Sequence, residues 1–223
     1  MPFKYEEVVP WGRSHEEYLR MFDLGENELR LKILGCGDGP ASFNCEGNEH
    51  GGDITSVDPI YRLSKASIQD RIRTTYQDVL EQTYRNREKF RWDDIPSVEA
   101  LGKIRMRAMD IFLESYDRGR LCGRYVPGEL PNLPFSDRSF DLALCSHLLF
   151  LYTENLSYDF HAAALREMLR VAREVRIFPI LDMNGSQSPY VEKIRKDFHA
   201  NSIDVRAVDY EFQIGGDKVL VVR

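Results

Sequence analysis

The sequence predicts an α/β fold: a doubly wound, mostly parallel sheet with a C-terminal antiparallel hairpin and a helical insertion after the second strand. Three observations carry this. Short β-like apolar runs alternate with segments of helical periodicity along most of the chain. One run, "SFDLALCSH" (139–147), is nearly all apolar, as a strand covered on both faces must be, and belongs in the middle of the sheet. The C-terminal stretch instead reads strand, glycine turn, strand.

The first two strands are "LKILG" (31–35) and "DITSVD" (53–58), joined by one short helix starting near Pro40, because proline suits a first helical position. Apolar residues then recur at helical spacing from Ser64 to Phe90, and a second helix runs from Ser97, an N-cap residue type, to Arg120. "RWDDIP" separates the two. "GRYVPG" is a further strand, followed by the central run. Leu165, Met168, Leu169 and Ala172 fall at i, i+3, i+4 and i+7, so their segment is an amphipathic helix laid on the sheet. In "VRIFPIL", Pro179 removes a ladder donor and predicts a bulge or an early strand end. A helix near 189–200 precedes "IDVRAVDYEFQ", "GGD" and "KVLVVR", the closing hairpin.

At 223 residues the chain suits a single domain over 1–223, with the helical insertion at 64–120. A net charge of −6 provides no positive field to gather nucleic acid or anionic membrane, so neither is an expected partner. A small-molecule or protein substrate is favoured, the small molecule first. No stretch reaches membrane-spanning length, and "MPFKYEEVVPWGRS" lacks the pattern of a secretory leader, so a cytoplasmic location is expected. Cys36, Cys45, Cys122 and Cys145 show neither paired nor metal-ligand spacing.

Function is most legible in "GCGDGP". In a doubly wound sheet, ligands bind beyond the carboxyl ends of the strands, beside the first. Gly35, Gly37 and Gly39 occupy that place. Without Cβ atoms they admit positive φ and let the main chain lie against a ligand, while the following helix start offers N–H groups to an anion. The dinucleotide fingerprint would put a small residue where Pro40 stands, which counts against NAD, and no phosphate-loop Lys-Ser or Lys-Thr follows. Asp58 lies 23 positions after Gly35, near the ~20 of a ribose-binding acid. Its carboxylate can accept from both ribose hydroxyls.

These pieces, with "GELPNLPFSDRSFDLALCSHLLFLY" and "ALREMLRVARE", make the sequence similar to the class I S-adenosylmethionine-dependent methyltransferases. "VPWGRSHEEYLRMF" and "DPIYRLS" also resemble a bacterial subgroup with no assigned substrate. The resemblance implies a Rossmann-like sheet and S-adenosyl-L-methionine as cofactor. It places Gly35, Cys36, Gly37, Asp38 and Gly39 in the cofactor loop, Asp58 and Pro59 at the ribose, and Glu129 and Leu130 at the adenine. Cys145, ending strand four, joins them. Arg13 and Tyr18 would fold over the cofactor carboxylate, where a guanidinium fork suits the anion. Two departures stand out: Ile33 occupies a position where the family often has an acid, and "VAREVRIF" lacks the usual glycine turn before strand five.

The expected function is methyl transfer, with His147, just past strand four, as candidate general base. The rivals are an NAD-dependent oxidoreductase on the same sheet type and a non-catalytic S-adenosylmethionine-binding regulatory protein. The insertion would cover the acceptor, or pack on the sheet or form a homodimer surface. The basic cluster from Arg71 to Arg91 reads as a solvated face, and His161 and His199 as surface residues.

Overall fold

Seven strands form one sheet in the order β3-β2-β1-β4-β5-β7-β6. They are β1 (Lys32–Cys36), β2 (Asp53–Asp58), β3 (Tyr125–Pro127), β4 (Phe140–Ser146), β5 (Ala172–Phe178), β6 (Ile203–Ala207) and β7 (Lys218–Val222). The computed structural model describes residues 9–223; residues 1–8, on which part of the leader reading rests, lie outside the described residues. The "SFDLALCSH" run is β4, flanked by β1 and β5 in parallel register, as its apolar character requires. β7 pairs antiparallel with both β5 and β6, which gives the C-terminal antiparallel hairpin.

Among the described residues, six α-helices surround the sheet: α1 (His15–Phe22), α2 (Phe43–Glu49), α3 (Lys65–Arg85), α4 (Val98–Leu121), α5 (Tyr158–Val171) and α6 (Tyr190–Asp197). Ser14, Ser64, Ser97 and Ser157 cap α1, α3, α4 and α5, each accepting from the backbone N–H three residues on. β5 ends at Phe178, one residue before Pro179, because proline has no N–H to continue the ladder. α5 passes into β5 at Ala172 with no glycine turn, as "VAREV" implied.

Three local expectations need correction. The helix after β1 starts at Phe43, not near Pro40; Ser42 N–H instead donates to Arg13 O at 3.0 Å, so the N-terminal segment rests on this turn. β6 ends at Ala207, and 208–217 forms a long loop whose Tyr210 and Phe212 turn inward. His161 is fully buried: its Nε2 accepts from Phe150 N–H at 2.9 Å, so Nδ1–H donates to Ser157 O at 2.9 Å. Burial holds this ring neutral, and it fixes the turn after β4.

The core has two layers, one on each sheet face, and a satellite. β4 and β5 pack under α5 on one face, while Ile33 and Ile54 pack against α1 and Phe43 on the other. The satellite joins Ile68, Ile72, Met109, Phe112 and Tyr116 of α3 and α4 to Tyr61 and Tyr125. It anchors the two long helices beside β3, so that Val79, Thr83, Leu101 and Arg105 face the carboxyl ends of the strands. Among the described residues, no helix is long and apolar enough to cross a membrane.

Phe112 is fully buried in the satellite and touches three aromatic rings. Phe112→Ala should therefore cost about 3–5 kcal/mol of stability in urea unfolding. A change below about 1 kcal/mol would contradict its anchoring role.

Candidate functional site

A cavity of about 610 Å³ opens beyond the carboxyl ends of β1, β2 and β4, within the range of small-ligand sites. It is lined by ten of the residues singled out above: Arg13, Tyr18, Gly37, Asp38, Gly39, Asp58, Pro59, Glu129, Leu130 and His147. Gly35, Cys36 and Cys145 do not line it. Cys36 and Cys145 sit side by side in the β1–β4 register, wholly buried, and burial raises both thiol pKa values, Cys145 to about 12. They are core residues, because their side chains point into the sheet packing rather than past the strand ends.

Gly35 acts differently from the expectation. A Cβ there would lie 1.8 Å from Asp38 Oδ2, so its bareness makes room for the Asp38 carboxylate and not for a ligand. Gly37 has φ +71°, a left-handed conformation that favours glycine, and Leu148 would meet any Cβ at 2.7 Å. The loop thus folds back on β1 and carries Asp38 inward. Asp38 Oδ2 accepts from Ser56 Oγ at 2.5 Å and Oδ1 from Tyr18 Oη at 2.8 Å. The position two residues before Gly35 can be Ile33 because its side chain lies in the core, and Asp38 brings a carboxylate to this end of β1 from within the loop.

Tyr18 is corrected with it: its hydroxyl is committed to Asp38, and it holds that carboxylate rather than a ligand's. Burial pushes Asp38 up to about 6, with the bonds from Ser56 and Tyr18 opposing the shift. Asp58 rises to about 6 for the same reason, opposed by the backbone N–H groups of Ile60 (2.8 Å) and Gly39 (2.9 Å). Each Asp58 oxygen accepts one of these bonds and keeps a lone pair for another donor. Glu129 pairs with Arg62 at 3.3 Å, both side chains more than half exposed (57% and 58%), so the pair is worth little and leaves Glu129 adjustable.

Arginines line the cavity as well. Arg13 donates through Nη1 to Trp11 O at 2.6 Å, while its Nε is buried without a partner. Burial, then the neighbouring Arg105, disfavours its charged form. Arg105, on α4, is 1% exposed and ion-paired with Glu17, whose other oxygen accepts from Tyr210 Oη at 2.8 Å. Burial alone would raise the Glu17 pKa, but Arg105 overrides it and holds the carboxyl at about 2. His147 (φ +54°) stands on the rim beyond β4, with Nδ1 2.9 Å from Ser146 Oγ, leaving Nε2 for a ligand. Burial, with Arg13 and Arg105 behind it, keeps the imidazole pKa well below its ordinary value and the ring neutral at pH 7.

Sequence reasoning missed Arg105, Glu17, Tyr210 and Ser56. A signal existed for the first: Arg105 falls on the buried stripe Leu101, Arg105, Ala108, Phe112 of α4, where a charge breaks the apolar pattern. Tyr210 had none, since its loop was read as strand. Among the described residues, no group of three His, Cys, Asp or Glu side chains is placed to hold a metal ion.

The family described as "Methyltransferase domain" matches over residues 97–175. Over 220 residues the chain is 38% identical to "Uncharacterized protein MJ0045" of Methanocaldococcus jannaschii, covering 98% of this chain and 97% of that one. It is also similar to the crystal structure of a SAM dependent methyltransferase from Aquifex aeolicus: TM-score 0.44, 12% identity, 92% of this chain and 90% of that one. Magnesium protoporphyrin IX methyltransferase from Synechocystis PCC 6803, solved with bound SAM, gives a TM-score of 0.43 at 13% identity, over 89% and 73% of the two chains. Structural likeness at these scores is noted as similarity alone. Residues 97–175 thus match a methyltransferase domain, and the chain belongs to one family with its archaeal relative MJ0045.

The Gly35–Asp38 contact is testable. Gly35→Ala forces the Asp38 carboxylate out of its pocket and should cost about 1–3 kcal/mol. In an Asp38→Ala background the same change should cost markedly less, a coupling that urea unfolding of the four proteins would measure. Additive costs would rule the contact out.

Proposed function

We propose that the protein transfers a methyl group from S-adenosyl-L-methionine to a small-molecule acceptor. The observation that carries this is Asp58: a carboxylate at the end of β2, fixed by two backbone N–H groups, facing the cavity with a lone pair left on each oxygen. That is what a ribose diol requires. The remaining groups suit the rest of the cofactor. The unpartnered Arg13 Nε is a donor for its carboxylate, Asp38 lies near for its cationic end, and Pro59, Glu129 and Leu130 flank a place for the adenine.

When bound, the cofactor supplies a methyl group on a sulfonium, which passes to an acceptor lone pair as the carbon–sulfur bond breaks and its electron pair stays on sulfur. The protein's own residues align and enclose. Gly37 and Gly39 let the main chain approach closely, and the apolar walls from Leu148, Leu151 and Phe178 keep water away. His147 Nε2, on the rim and neutral, takes the proton released by an acceptor hydroxyl or amine. The insertion at 64–120 roofs the acceptor side through Val79, Thr83, Leu101 and Arg105.

Two expected outcomes test this. Asp58 must be ionised to accept from the ribose, and its folded pKa is near 6, up from 3.8. Calorimetric affinity for S-adenosylhomocysteine should therefore weaken toward tenfold per pH unit below about 6. Ligand-free stability runs the other way: a raised folded pKa means more protons bound when folded, so stability falls as pH rises from 3.8 through about 6. Asp58→Asn should lose about 1–3 kcal/mol of binding and show a shallower pH slope; unchanged affinity would remove the ribose assignment. Incubated with cell extract and methyl-labelled cofactor, the wild type should transfer label. His147→Ala should slow the transfer without weakening cofactor binding, and binding without any transfer would leave a regulatory binder.

A further inference from the structure

The acids lining the cavity are grouped, with Arg13 and Arg62 beside them. Its acids, Asp38, Asp58 and Glu129, all stand at the glycine-loop end, on β2 or in the loops after β1 and β3. Among the described residues, none of the lining side chains from α3, α4, the segment after β4 or the 208–217 loop is acidic. That half is walled by apolar groups such as Val79, Leu101, Phe160, Met183 and Phe212, and its cationic lining residues are Arg71 and Arg105.

Arg105 is the buried one. At 1% exposure, with one nitrogen on Glu17, it keeps its Nε buried in a cavity wall without a hydrogen-bond partner. A buried N–H donor left unmade costs on the order of a full hydrogen bond, so a ligand acceptor there is strongly favoured. Glu17 neutralises only one of the two neighbouring guanidinium groups, and its remaining capacity goes to Tyr210 and the Ser14 N–H. Burial first, and then Arg13 and Arg105, disfavour protonation of His147.

We infer that the acceptor is a small carboxylic acid with an apolar body, its carboxylate anchored on Arg105 and its body lying between α3, α4 and the 208–217 loop. This rests on the methyl-transfer reading for the word acceptor, but not for the site. The carboxylate is the handle and not the methylated atom. Such an anion would accept from the Arg105 Nε as the cofactor carboxylate would from the Arg13 Nε, so each ligand would be oriented by its own guanidinium. A ligand with no acceptor atom there would leave the Arg105 Nε unpartnered.

The test uses matched probes: 3-phenylpropionate against 3-phenylpropionamide, and hexanoate against hexanamide, titrated into the full-length protein saturated with S-adenosylhomocysteine. At least one acid should bind about tenfold or more tightly than its amide, the scale of a charge-assisted bond. Arg105→Gln should bring the pair within about twofold, while Leu101→Ala should weaken acid and amide alike. If Arg105→Gln does not fold, Glu17→Gln combined with it removes the buried pair as a unit and reads the same preference. Acids and amides binding equally to the wild type, or an acid preference that survives loss of Arg105, would overturn the inference. Failure of S-adenosylhomocysteine to bind would overturn the methyl-transfer reading instead, and the acid–amide comparison on the ligand-free protein would still decide the anion site.

Discussion

The carboxylate of Asp38, folded back over the bare Cα of Gly35, ties the site together. It joins three pieces of chain: the loop after β1 that carries it, α1 through Tyr18, and β2 through Ser56. Bonds to a buried carboxylate are worth about 1.5–3 kcal/mol each, enough to offset much of its burial and to fix the loop's path. Because that path turns at Gly37, the Gly39 N–H reaches Asp58 and fixes the second carboxylate. The glycines therefore serve two purposes. Gly35 admits a side chain of the protein itself, and Gly37 and Gly39 present main chain to the cavity.

Burial then sets the electrostatics. Two carboxyls with pKa values near 6 line the cavity, and so do two arginines with a single carboxylate partner, Glu17, on Arg105. Arg13 and Arg105 each keep a buried Nε without a hydrogen-bond partner, which is costly unless a ligand supplies an acceptor. The ion pairs on the outer surface, such as Arg85 with Glu81, lie in water and have no comparable influence.

Much of this was legible in the amino-acid sequence because it depends on local pattern. The largely apolar "SFDLALCSH" marks the central strand, Pro179 the end of β5, and the spacing of Gly35 and Asp58 the strand-end pair. What was hidden depends on long-range contacts. Tyr18 was read as a lid residue because nothing in "HEEYLRMF" reveals that its hydroxyl meets Asp38 twenty residues on. The family resemblance puts Cys36 and Cys145 in the site, whereas the strand packing sends their side chains into the core. His161 looked like a surface residue because its two bonds go to backbone groups whose position only the fold defines. Arg105 broke the apolar stripe of α4 in plain view, but its pairing with Glu17 spans 88 residues.

The most direct measurement is a crystal structure of the protein with S-adenosylhomocysteine. The account predicts the ribose hydroxyls on the two Asp58 oxygens, the homocysteine carboxylate at Arg13 Nε and the backbone at Gly37 and Gly39 unmoved. A nucleoside bound elsewhere, or seated here with its diol turned away from Asp58, would contradict it.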